Sequence, residues 1–458
     1  ENDTTMLTEL NNLKLREKQR NTARRIKRLR KNQRSGKVTI MHRTIHRPNQ
    51  PPLRVACTTE VTMTEAAICE NESCFSRALV GKFMQPPLRD MLGNLGNKEL
   101  STSQILDGTF QCPDTLVNPY AKLLLQVLSI PTHVKRLTNE DIGWTEKELS
   151  KSWQHCNSKT ASESTNLNFS HHIAGTYNQQ VLEVDCIMCT VPFEMGFSPS
   201  ECDIMEDFKL FKQMGVTDVE EMRTIRLMVA AYNMNNKRLR RLTMQQAEKY
   251  NLIPKEQHGS RKRHKAINCL LNKVLIWDTS RQLCLSMAYL CNDAEKFYNY
   301  MIHNVTSLGM QCTGMTHQPI TAMLTCLQES STHILTAYGT SKEWYGGKKR
   351  KHERELPLMG AGQGNGAAPT AYGLLSAAII KVMALLGFGA VFATAISLQT
   401  ISVICSMFVD DCDLWQSATS TTETGEDIAP QMQNRCLGRM PSCHRWSPLP
   451  KEVMLVPS

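Results

Sequence analysis

At 458 residues, 41% hydrophobic and only 6% aromatic, the chain can hold two to four domains or one large multi-lobed enzyme, with a core filled by aliphatic side chains and 24 methionines. Its 17 cysteines are scattered, with no even framework and no signal peptide, which excludes a secreted disulfide scaffold and points to free thiols in a reducing intracellular compartment, nuclear or cytoplasmic. The net charge of +10 equals that of residues 1–50 alone, where 14 Lys/Arg stand against 4 Asp/Glu, so the remainder is close to neutral.

In chain order, Arg24-Arg25-Ile26-Lys27-Arg28-Leu29-Arg30-Lys31 lies in a basic arm, residues 1–50, disordered or helical. Such an arm neutralises phosphates by counterion release, or serves as a solvated or nuclear-targeting charge run. The start at Glu1 rather than Met reads as a fragment. Pro51-Pro52 opens a linker, and Met63–Phe83 has a helical pattern with a capped start at Thr64-Glu65. Residues 51–190 form a helical N-terminal extension, with polar loops such as 157–168. Asp218–Lys249 mixes helix-compatible and strand-like parts around Arg223-Thr224-Ile225-Arg226-Leu227. Two further basic clusters follow, Arg261-Lys262-Arg263-His264-Lys265 before an amphipathic stretch and Lys348-Lys349-Arg350-Lys351 in a turn-rich loop. Cys186-Ile187-Met188-Cys189 is a CxxC without a partner pair, so zinc is disfavoured, and His171-His172 reads as a surface pair. From Val382 to Val409 run 28 uncharged residues, long enough to span a bilayer, although Gly387, Gly389, Gln399 and Thr400 interrupt them.

Asp410 and Asp411 end that run as Phe408-Val409-Asp410-Asp411. Adjacent carboxylates on an apolar segment repel and are costly to desolvate unless a cation sits on them. Asp293, in Asn292-Asp293-Ala294-Glu295-Lys296-Phe297-Tyr298, is a third acid, and Gly360-Ala361-Gly362-Gln363-Gly364-Asn365-Gly366 lies between. A lone Asp, then Gln-Gly, then Asp-Asp is the layout of a template-directed polymerase palm. Nucleotidyl transfer uses two divalent cations about 4 Å apart, and hard Mg²⁺ prefers carboxylate oxygens.

From about Cys57 to Asn434 the chain resembles the reverse transcriptases of non-LTR-like retrotransposons, most closely open reading frames of diatom and algal type. Six ordered blocks carry the resemblance: Ala230–Lys237, Glu256–Ile267, Cys291–His303, Thr336–Gly347, Gly360–Pro369 and Phe408–Leu414, with weaker echoes at Ile105–Thr109 and Asn118–Ala121. It implies an α+β fold: right-hand polymerase fingers and palm over 191–434, with a small antiparallel palm sheet and the thumb absent or truncated. It implies Asp293, Asp410 and Asp411 as the metal-binding catalytic triad for two Mg²⁺ ions, with Mn²⁺ as an alternative. Tyr298 would favour deoxynucleotides by crowding the ribose 2′-hydroxyl. Gln363 and Gly364 would let backbone approach the incoming nucleotide, and Arg223 would pair with triphosphate oxygens. Arg261, Lys262, Arg263 and Lys265 would lie along the template–primer groove. The partners implied are an RNA template, a DNA primer and dNTPs, with no membrane. Taken without the family, Tyr298 reads as core, Arg223 as a surface ion pair and Gln363 as a turn residue. Asn299 stands where the family commonly has Asp, Glu221 where a basic residue is usual, and Cys412 where Thr is typical.

After Asn434 the resemblance stops. With a one-base shift, codons can be chosen that yield family-like sequence: Met440-Pro441 then forces a Cys, and Trp446-Ser447 a Gly. Residues 435–458 are therefore expected to be an out-of-frame, disordered tail. The competing readings are a catalytically inactive remnant that binds nucleic acid and a membrane protein using 382–409.

Overall fold

The computed structural model describes positions within 8–24, residues 38, 40–161 except 115 and 117, 167–293 except 214, 296–347, 356–393, 397, 399–409, 411–418, 427, 428, 430 and 452–456; of 292 and 293 only the backbone is described. The fold is α+β. An N-terminal ribbon pairs β1 (Met41–Ile45) with β2 (Leu53–Cys57). Helix α1 (Glu60–Ser76) starts at a Thr59 cap whose hydroxyl accepts the Thr62 amide. Seven helices follow, from α2 (Leu88–Leu92) to α8 (Gln179–Met195). Then come β3 (Ile204–Leu210), β4 (Arg223–Leu227), α9 (Ala230–Lys249), α10 (Ala266–Gln282), β5 (Met287–Asp293), α11 (His303–Gln311), α12 (His317–Glu329), β6 (Ser331–Thr336) and β7 (Gly339–Gly346). Helix α13 (Ala368–Leu385), β8 (Ala390–Ala393), β9 (Thr400–Val403), β10 (Cys405–Phe408), β11 (Asp411–Ser417) and β12 (Glu452–Val456) complete the order.

Two four-stranded sheets organise the chain. One runs β4-β3-β6-β7, with β3 and β6 parallel; the other, β10-β11-β5-β12, is wholly antiparallel. Helix α13 joins them. It is apolar on every side, as a helix packed all round must be. Ala371, Tyr372 and Leu374 lie in a core with α9 and α12; Leu375, Ala378 and Val382 pack with α4 (Pro119–Val127) and α11; Ile379, Ile380 and Met383 pack on Leu290, Cys412 and Leu414 of the antiparallel sheet.

Several expectations are corrected here. Residues 382–409 are not one helix: α13 stops at Leu385, Gly387 (φ 75°) and Gly389 (φ 134°) turn the chain, and short strands follow. The helix that is long and apolar enough to cross a membrane, α13, is 78% buried inside the protein. The basic arm does not extend to residue 50, because β1 already begins at Met41. No packing boundary falls at 190/191, since Val134 and Ile142 share a core with Met310, Met323 and Tyr372. Of the tail, 435–451 lies outside the described residues. Residues Glu452–Val456 form a strand on β5 instead of the expected disorder, satisfying an edge whose amides and carbonyls would otherwise be open.

Buried His303 anchors the glycine loop to the core. Its Nε2 lies 2.9 Å from the Gly360 carbonyl, so it donates there, and its Nδ1 accepts from Gln328 Nε2 at 2.9 Å. Burial pulls its pKa down from 6.5 to about 4. Protonation is therefore easier in the unfolded chain. The stabilisation is complete above pH 6.5 and is lost as pH falls from 6.5 towards 4. We expect His303 to account for about 2 kcal/mol of stability lost between pH 7.5 and pH 5. Urea titrations at the two pH values check this: His303→Gln should flatten the pH dependence by that amount, whatever its effect at pH 7.5.

Candidate active site

The antiparallel register sets the first geometric fact. Asp293, the last residue of β5, lies directly opposite Asp411, the first residue of β11. Directly opposed positions have Cα atoms roughly 4.5–5.5 Å apart and share one face of the sheet. Phe408 pairs with Asp411, so only 409 and 410 separate β10 from β11. Asp410 lies outside the described residues, as does the side chain of Asp293, while Asp411 is exposed. Among the described residues no group of three His, Cys, Asp or Glu could hold a metal ion. The donors at 293, 410 and 411 are nonetheless all carboxylates. That set fits Mg²⁺ or Mn²⁺ rather than a thiolate-seeking metal.

The turn is strained and braced. Val409 has φ 60°, a left-handed conformation suited to a two-residue hairpin but unfavourable for a β-branched residue. Residues 256–259 hold it from the side. Met407 N donates to the Glu256 carbonyl and His258 N to the Met407 carbonyl, both at 2.8 Å, so this segment covers the outer edge of β10. A Cβ at Gly259 would lie 2.2 Å from Val409 N, so no side chain fits there. Gln257 fixes the brace through Nε2 to Ser376 Oγ on α13 (2.8 Å), while its Oε1 accepts from Gly259 N (2.7 Å).

Helix α10 runs alongside β11 in the same direction. Lys273 pairs with Asp413, whose other oxygen accepts from Tyr289 at 2.6 Å; Ile276 shares a core with Trp415; Ser280 reaches Met287, opposite Ser417. The start of α10 therefore lies at the Asp411 end of the sheet, just after Lys262, Arg263 and Lys265, all three exposed. Arg261 is different. It makes a two-pronged ion pair with Glu248 (2.8 and 2.9 Å) and donates to the Pro254 and Gln257 carbonyls (both 3.1 Å). Expected along a nucleic-acid groove, Arg261 instead fastens the brace to α9, and its guanidinium holds the Glu248 carboxyl below the usual carboxylate range.

The glycine loop lies against β4. Gln363 bridges to Ile225, and Arg226 N donates to its carbonyl at 2.7 Å. Gly364 has φ 122°, and a Cβ there would meet the Arg226 carbonyl at 2.4 Å. Asn233 of α9 closes the loop, donating to the Gly364 carbonyl (3.2 Å) and accepting from Gly366 N (2.8 Å). Tyr298 is tied to the same loop, its carbonyl accepting from Ala361 N at 2.7 Å, and its ring packs on Phe297. Arg223, expected to meet triphosphate, is exposed at the start of β4.

Beneath this loop lies a polar cluster that sequence reasoning missed. Buried Arg226 makes two bonds to buried Asp207 (3.0 and 3.2 Å), donates to Tyr345 Oη (2.7 Å) and stacks over Phe75 at 4.6 Å. Tyr345 donates to Asp207, and Asn71 Nδ2 does so at 3.0 Å. Lys209, its pKa pulled down to about 8 by burial, donates to Asn71 Oδ1 and Thr224 Oγ1. The available signal was the alternation of Glu206-Asp207-Phe208-Lys209 with Thr224-Ile225-Arg226 on paired strands. Cys186 and Cys189 are buried, and burial raises both thiols, the opposite of a metal-binding pair.

Removing one partner of a buried ion pair strands the other charge. Arg226→Met is expected to destabilise the fold by about 3–5 kcal/mol, whereas Asp207→Leu with Arg226→Met recovers much of that loss. Denaturant titration of the singles and the double checks both statements; additive losses would remove the coupling.

No protein-family model matches this chain, and no curated protein matches it.

Proposed function

We propose that the chain comprises the fingers and palm of a retrotransposon RNA-directed DNA polymerase, joining dNTPs to a primer 3′-hydroxyl on an RNA template. The observation that carries the reading is the pairing of position 293 with 411 beside the 409–410 turn. That register lets carboxylates 118 residues apart in sequence act on one cation-binding spot.

In this reading Asp293, Asp410 and Asp411 would hold Mg²⁺, which when bound lowers the pKa of the primer hydroxyl and offsets triphosphate charge. The chain's own residues do the positioning. Exposed Arg223 offers a planar fork for phosphate oxygens. Gly364, without a Cβ, permits backbone approach to a base pair. Tyr298, fixed through Ala361, would limit the sugar edge. Lys262, Arg263 and Lys265 contribute non-specific phosphate contacts at the carboxylate end. The second reading, a remnant that only binds nucleic acid, is favoured by the departures at Asn299 and Glu221.

Primer extension separates the two. On a poly-rA template with an oligo-dT primer, dTTP and Mg²⁺, wild type should extend, and Asp411→Asn should lose on the order of 10³-fold in rate, about 4 kcal/mol of barrier. Equal signal from both proteins, with hybrid binding retained, leaves the remnant reading.

A further inference from the structure

Helix α8 carries an apolar seam that nothing among the described residues covers. It starts at an Asn178 cap on Val181 N and ends at Gly196 in the left-handed region. Leu182, Cys186, Cys189 and Phe193 face the core. On the opposite side Val181, Val184, Met188, Val191 and Met195 are 50%, 60%, 60%, 43% and 71% exposed. Their spacing of three, four, three and four residues is a coiled-coil seam, narrower than the broad stripe of an ordinary packed helix. Ile187, also 60% exposed, flanks it, and Tyr177 and Phe197 extend it at either end.

We propose that this seam is a dimer interface, occupied by α8 of a second copy lying antiparallel. Three observations favour that occupant. Five large apolar side chains, each between 43% and 71% exposed, form one continuous strip along the helix, and contiguous exposed apolar patches mark sites of association. The seam is almost symmetric about Met188: Val184 and Val191 lie one turn to either side, Val181 and Met195 two turns. Laid antiparallel on itself, the helix sets Met188 on Met188, Val184 on Val191 and Val181 on Met195, a closed isologous contact with opposed helix dipoles. The seam itself carries no charge. Helix α8 has no Lys or Arg, and its three acids lie off the seam positions: Asp185 is committed inward to Trp153 Nε1 at 2.8 Å and to His172, while Glu183 is exposed and Glu194 partly buried. Charge-depleted centres mark packed interfaces rather than solvent-facing helices. A shallow cleft beside the seam, lined by Met188, Pro192, Phe197, Ala322 and Met323, continues the apolar surface onto α12.

This inference is independent of any polymerase activity. It is tested by the mass of the full chain in sedimentation equilibrium, where a dimer with a dissociation constant on the order of 1–10 µM is expected. Val184→Glu and Val191→Lys, each at an exposed position, should give monomers with unchanged circular dichroism melts. The double variant should dimerise again, because position 184 then meets 191 of the partner with opposite charge. A monomeric wild type well above that concentration overturns the proposal, as does a dimer insensitive to both single changes. Loss in the singles without rescue in the double overturns the antiparallel arrangement.

Discussion

The three-sided burial of α13 is the constraint on which the rest of the structure depends. A helix packed on one face can shift along its neighbour; one held by three separate cores cannot move without opening voids in all of them. Its N-terminal end follows the glycine loop, its middle carries Ser376, which receives Gln257, and its last turns lie under β5 and β11. One element therefore fixes the loop, the brace and the carboxylate-bearing strands relative to one another. Each of its buried Leu, Ile or Met side chains contributes roughly 1.5–3 kcal/mol.

Charge follows a parallel division. The guanidinium groups of Arg226 and Arg261 are engaged inside the protein, one tying β4 to Asp207 of β3 and Tyr345 of β7 and the other pinning the brace to α9. Arginine suits both tasks because its fork makes several bonds in one plane. Arg223, Lys262, Arg263 and Lys265 remain exposed. The distinction is physical: a guanidinium satisfied by a buried carboxylate has no free donors for phosphate, however basic its sequence context.

Parts of this arrangement were legible in the sequence. The helical pattern over Met63–Phe83 located α1, although its cap is Thr59 rather than Thr64 and it ends at Ser76, and the glycines of 360–366 marked a loop where backbone comes close. Convergence of position 293 on 411 was not derivable from spacing, since register is set by pairing across 118 residues rather than by local propensity. Arg226 and Arg261 were opaque for a related reason, as their partners Asp207 and Glu248 become neighbours only after folding. The uncharged run 382–409 misled because composition alone does not distinguish a bilayer from a protein interior; the positive-φ glycines 387 and 389 were the local clue. The exposed seam of α8 had a readable 3–4 period, but which face would be buried depended on Trp144, Trp153 and Phe169 arriving on the other side.

The two ends of the antiparallel sheet are finished differently. An open edge pairs readily with another chain; here the segment 256–259 covers β10, while at the other end β12 pairs with β5 and is itself the edge strand. The first cover does two things at once, because the residues that satisfy β10 also hold Val409 in its unfavourable left-handed turn. Gly259 is required for both, as a larger residue would push the brace off the turn and reopen the edge. The exposed Lys262, Arg263 and Lys265 and the cover on β10 thus belong to the same short segment, Glu256–Lys265.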